Sequence, residues 1–254
     1  MFETLSNVFT DNPLIVSFAI IGITMYIAYK LSDKLTRGRI HGSAIAIILG
    51  LVLAYLGGVL TGGEKGLSDI SIFAGIGLMG GGMLRDFAIV ATAFGASFDE
   101  IKKAGMSGVS ALFIGVLLSY VVGVAVALSF GYTDAVSLTT IGGGTATYIV
   151  GPVTGAAIGA SSEVITISIA AGLVKSILTM IGTPFVAKYI GLNNPRSAMV
   201  YGGLMGTTSG VAGGLAATDP KLVPYGAVTA TFYTGLGCLM VPSVLFLMTR
   251  AIFG

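Results

Sequence analysis

The stretch TTIGGGTATYIVGPVTGAAIGAS, Thr139 to Ser161, decides how the whole chain is read. It is apolar enough to sit inside a bilayer, yet three consecutive glycines and a Gly-Pro pair interrupt it. Such residues break helices, and irregular backbone at membrane depth is tolerated only where it is buried in protein or lines a water-filled cavity. One reading is a segment that enters the membrane and folds back. The other is an ordinary helix whose glycines let neighbours pack closely. The segment YGGLMGTTSGVAGGLAATDP, Tyr201 to Pro220, has the same character.

Composition supplies the surroundings. Of 254 residues, 54% are hydrophobic and 9% charged, and mean hydropathy is +0.95. Soluble domains carry roughly 25% charged residues, so this is an all-α polytopic membrane protein. Eight apolar segments are read at about 14–29, 42–60, 70–95, 104–130, 136–160, 164–187, 198–217 and 222–252. Six are expected to cross and two to be Gly-rich broken or re-entrant segments, within one transporter domain, 1–254. The net charge of +2 carries no basic stripe beyond one loop, which speaks against nucleic acid. Cys238 stands alone, so no intrachain disulfide forms. The start, MFETLSNVFTDNP, has no positive n-region, so the first apolar segment is expected to remain as a span.

Orientation follows from Lys and Arg, which accumulate in cytoplasmic loops. Lys30, Lys34, Arg37 and Arg39 place the first loop inside, Lys102 and Lys103 the third. The alternation then fails: a single crossing by 136–160 leaves Lys188 and Arg196 outside. Folding back restores both to the cytoplasm, with both termini outside. An inverted repeat would suit such a transporter, but matching fragments support one only weakly. GLMG recurs at Gly77 and Gly203, and YLGGVLTG at Tyr55 resembles YIVGPVTG at Tyr148, but the offsets differ.

Several chemistries are excluded. GIGLMG, Gly75 to Gly80, matches a dinucleotide fingerprint but lies midway along an apolar run rather than after a strand. One histidine, His41, and one cysteine cannot build a zinc site, and no nucleophile elbow or catalytic base is visible, so no enzyme is expected. The hydroxyls are more telling. Thr139, Thr140, Thr145 and Thr147 surround Gly142, Gly143 and Gly144, while Thr207, Thr208 and Ser209 follow the second GLMG. Hydroxyls and freed carbonyls coordinate sodium, and freed N–H groups hold carboxylates, although Ser and Thr also bond back to their own helices. Arg85, Asp86 and Lys175 lie inside apolar runs, where each costs about 2.5–3.5 kcal/mol at mid-bilayer and is usually paired or functional.

GRIHGSAIAI, GIGLMGGGMLRDFAIVATAFG, YIVGPVTGAAIGASSEV, NNPRSAMVYGGLMGT and PYGAVTATFYTGLGCLMVPS closely resemble the MadM subunit family of bacterial malonate transporters, essentially end to end. The resemblance implies a sodium-coupled malonate symporter of the bacterial inner membrane. It also implies a second membrane subunit, MadL, and no cofactor beyond sodium as the coupling ion. The residues themselves supply the site expectations. Arg85, Gly142, Gly143, Gly144, Thr145, Lys175, Thr207 and Thr208 are expected to bind substrate; Thr145, Thr207, Thr208 and Ser209 are expected to bind sodium. Asp86 is expected to pair with Lys175 or Arg85 when the site is empty. Two oppositely directed hairpins would carry such a site between them. The alternative is an accessory membrane subunit that positions a substrate-binding partner.

Overall fold

The computed structural model describes residues 2–38, 40–63, 66–79 and 98–254. The chain divides into two compact units, Met1–Phe94 and Gly95–Gly254.

In the first unit, α1 (Phe2–Asp11) ends before Pro13, which opens α2 (Pro13–Leu31) at a position where its missing N–H costs nothing. A π-helical turn, Ser32–Thr36, extends α2, and α3 (Gly42–Thr61) packs back on it with Gly42 against the Tyr29 ring. Both helices are long and apolar enough to span, and Phe18, Ile23, Tyr55 and Leu60 are exposed on them as lipid-facing residues are. Two 3-10 turns and the short α4 (Gly75–Leu78) follow. The remainder of the span expected at 70–95, including Arg85 and Asp86, lies outside the described residues.

The second unit holds the architecture that the glycines foreshadow. Helix α5 (Phe98–Ser129) bends at Gly105, whose φ of 57° and ψ of −154° suit glycine alone, and its apolar part runs from there to Ser129. Next come α6 (Ala135–Ala146) and α7 (Val150–Ile158), then the long α8 (Ser162–Val186). A second broken pair, α9 (Pro195–Met205) and α10 (Thr208–Ala216), precedes α11 (Val223–Met240), a π-helical turn at Val241–Leu245, and α12 (Phe246–Phe253). Five helical stretches among the described residues are long and apolar enough to cross a bilayer: 13–36, 42–61, 105–129, 162–186 and 220–253.

Both broken pairs fold back. Gly151 of α7 lies against Gly144 and Ser168, and Gly155 lies against Thr140 and Ile165. Thus α7 retraces α6 toward the end where α8 begins. In the second pair, Gly226 near the start of α11 touches both Ala198 of α9 and Leu215 of α10, so both limbs begin and end there. The helices run through the glycine pairs and break a few residues later. Extended Thr147 is the first break; Gly206, at φ 72°, followed by extended Thr207 is the second.

The structure also reveals the duplication. Asp134, Gly142, Gly143 and Thr147 recur 60 residues on as Asn194, Gly202, Gly203 and Thr207. Asp134 and Asn194 cap α6 and α9; Thr147 and Thr207 receive the first N–H groups of α7 and α10. The repeat unit is a capped half-helix, a glycine pair, and a threonine break.

Candidate functional site

The two tips meet the same stretch of α8. Gly172 presses on Tyr148 and on the Gly144 carbonyl, at the first tip. Four residues on, Ser176 hydrogen-bonds Thr207 at the second. Helix α8 therefore passes between two opposed tips near its own midpoint, with Lys175 there.

Close packing holds this junction. A Cβ on Gly144 or Gly172 would run into the backbone of α8 or of the first tip, and one on Gly206 would strike the Tyr233 ring. Gly142 faces Tyr120 and Val124, and Gly143 faces Val241 and Thr154. The three consecutive glycines are thus buried within α6 and seat it against α5, α8 and the π-helical turn. Thr145 Oγ1 donates to the carbonyls of Ser119 (2.8 Å) and Gly142 (2.7 Å), pinning the end of α6 to α5.

Lys175 is partly buried, and its Nζ donates to Ser119 Oγ at 2.8 Å, to the Ala146 carbonyl at 3.0 Å and to Tyr233 OH at 3.5 Å. Its nitrogen also lies 5.2 Å from the Tyr233 ring centroid. Tyr233 is fully buried and donates in turn to the Gly115 carbonyl at 3.0 Å. Among the described residues no carboxylate lies within ion-pair distance of Lys175. Ala146 is the last residue of α6, whose C-terminal end carries partial negative charge, whereas Thr207, Thr208 and Ser209 stand at the partially positive start of α10.

The expected site residues Gly142, Gly143, Gly144, Thr145, Lys175, Thr207, Thr208 and Ser209 all fall at or beside this junction. Three contributors went unread in the sequence: Ser119, the Ala146 carbonyl and Tyr233. A serine or tyrosine inside an apolar span carries no local signal, and a carbonyl carries none at all.

A cavity of about 850 Å³ runs along one flank of the site. Its walls include Thr179 and Thr183 of α8 and Tyr201 and Met205 of α9, with Asn194 and Arg196 at the loop end. Thr183 Oγ1 and Tyr201 OH share a 2.7 Å hydrogen bond across it. The halves differ here: α6 packs along the preceding helix α5, whereas the backbone of α9 stands off α8.

Opposed broken hairpins around a partly buried cation, in a chain of apolar helices, are the build of a polytopic membrane carrier. The chain belongs to the malonate/sodium symporter MadM subunit family, whose model matches residues 5–253. No curated protein and no solved structure matches it.

Proposed function

We propose that the chain is the substrate-carrying subunit of a sodium-coupled malonate importer of the bacterial inner membrane, assembled with a MadL-type partner. The observation that carries this reading is Lys175: a cation without a carboxylate partner among the described residues, set where two opposed tips meet. Malonate is a small dianion at neutral pH, and intramembrane cations of this kind mark substrate and ion pathways.

Helix polarity divides the tip hydroxyls. Thr145 ends α6, beside carbonyls that favour a cation. Thr207, Thr208 and Ser209 open α10, where N–H groups and hydroxyls favour a carboxylate; Ser209 and Thr208 are partly accessible. Gly142, Gly143 and Gly144 serve by setting the position of the tip. Lys175 meets one malonate carboxylate. The cavity between α8 and α9 reaches Met205 at the tip from the end bearing Lys188 and Arg196, and serves as the cytoplasmic vestibule.

Malonate binding to the purified transporter, with both subunits present, tests this. Lys175→Met should raise the malonate Kd at least about tenfold while expression and subunit assembly stay normal. Wild-type affinity in that variant refutes the reading. Full malonate binding by the partner alone would make this chain an accessory subunit instead.

A further inference from the structure

Lys175 occupies a pocket of unusual chemistry for an ammonium. Its three acceptors, Ser119 Oγ, the Ala146 carbonyl and Tyr233 OH, are all neutral oxygens, brought from α5, the end of α6 and α11. Hydroxyls and the C-terminal carbonyls of a broken helix are the ligands with which transporters hold sodium. Lysine is a compact point charge on a flexible four-carbon stem, so it can leave such a pocket without any movement of the backbone.

The surroundings give it somewhere to go. Ser176, next in the chain, is hydrogen-bonded to Thr207 at the start of α10, and Tyr233 packs against Gly206 of the same tip. The ammonium is therefore within a side-chain swing of the proposed carboxylate position.

We infer that Ser119, the Ala146 carbonyl and Tyr233 form the site of the coupling sodium ion, and that Lys175 is a tethered cation that fills it in sodium's absence. This rests on the reading of the tips as the malonate site. Two cations cannot share one such pocket, so sodium displaces the ammonium toward the second tip, where it meets a malonate carboxylate. Each ligand thereby favours the other, as thermodynamic linkage requires. Sodium and malonate then bind together because one lysine moves between their two sites.

Equilibrium binding of radiolabelled sodium to the assembled transporter, without malonate, tests this alongside malonate titrations with and without sodium. In the wild type, sodium should tighten malonate binding by about tenfold or more. Lys175→Met should lower the half-saturating sodium concentration about tenfold and abolish the effect of sodium on malonate affinity. Ser119→Ala added to Lys175→Met, where no ammonium competes for the same oxygens, should raise the half-saturating sodium concentration about tenfold over Lys175→Met alone. Simple charge repulsion between separate sites predicts no effect of Ser119→Ala in that background, and that result overturns the shared pocket. Unchanged or weaker sodium binding in monodisperse Lys175→Met overturns it too; loss of malonate binding there leaves the proposed function standing. If Lys175→Met does not fold, Lys175→Gln, polar and uncharged, carries the same comparisons.

Discussion

Tyr233 presents both its faces of chemistry to Lys175: the ring centroid lies 5.2 Å from Nζ, and the hydroxyl, 3.5 Å from the same nitrogen, donates to the Gly115 carbonyl. One side chain of α11 thus ties the cation on α8 to the backbone of α5. It also packs against Gly206, so the second tip is held by the same ring.

Tyr233→Phe separates these contributions. The ring stays over the ammonium, but the Gly115 carbonyl, in the interior of α5, loses the tyrosine donor, at a cost of about 0.5–1.5 kcal/mol. Tyr233→Leu also removes the cation–π contact, about 2 kcal/mol when desolvated, and leaves a void beside Gly206. Melting in detergent should fall modestly for the first and much further for the second. Equal losses would mean that the ring contributes nothing to holding Lys175.

Two glycine substitutions should have opposite signs. A Cβ at Gly144 would collide with the Ser168 backbone, which cannot yield without parting α6 from α8. Gly144→Ala should therefore destabilise by about 1–3 kcal/mol and displace the first tip. Gly235, in mid-α11, has nothing within 4 Å of where its Cβ would lie. Gly235→Ala should be neutral or stabilising, by up to about 1 kcal/mol, because it restricts the unfolded chain. Thermal denaturation of the two variants against wild type measures both.

The loop before α3 should respond to acid. His41 Nδ1 accepts the Ser43 N–H at 3.4 Å and caps the helix, and burial holds the imidazole below its ordinary pKa of 6.5. As pH falls, the unfolded chain takes up the proton first. The group's contribution is therefore complete above about pH 6.5 and is lost as pH falls below that value toward the folded pKa. Protonation also removes the lone pair that makes the cap. Melting of the wild type should decline as pH falls below about 6.5, and His41→Asn, a cap that does not titrate, should flatten that decline. Parallel profiles for the two proteins would acquit His41.

The membrane class and the family were legible in the sequence, as were segment positions, because apolar runs and their polar interruptions are local properties. The helix starting at Gly42 and the spans ending near Ser129 and Val186 fall within a residue or two of the expected bounds. The duplication was equally present but hidden: comparing GLMG with GLMG pairs identical letters, whereas the repeat conserves roles. Aspartate answers asparagine as a cap, a glycine pair answers a glycine pair, and threonine answers threonine, always 60 residues apart. The meeting of Ser119, Ala146 and Tyr233 around Lys175 was not legible. It depends on the fold bringing together residues as much as 114 positions apart, between Ser119 and Tyr233.

The lie of α6 and α7 in the membrane is open to labelling from either side. The loop at 130–134 follows α5, and α8 begins at Ser162; α7 retraces α6 between them, so both points belong to one end of the helix bundle. The loop at 187–194 and the start of the 3-10 turn at Pro220 belong to the other, since both limbs of the second pair return there. Cys238 is the protein's single cysteine, so Cys238→Ala gives a background for labelling. Thr133, Ser162 and Asn193 are exposed, and each can be replaced by cysteine singly. A membrane-impermeant maleimide should reach Thr133→Cys and Ser162→Cys from the same side, and Asn193→Cys only from the opposite one. The side of Asn193 should be the cytoplasm, because Lys188 and Arg196 flank it and the 130–134 loop has neither Lys nor Arg. A straight crossing by 135–160 makes a different forecast: Ser162→Cys would then label from the side opposite Thr133→Cys. That outcome would remove the first tip from mid-membrane, and with it the pocket that holds Lys175.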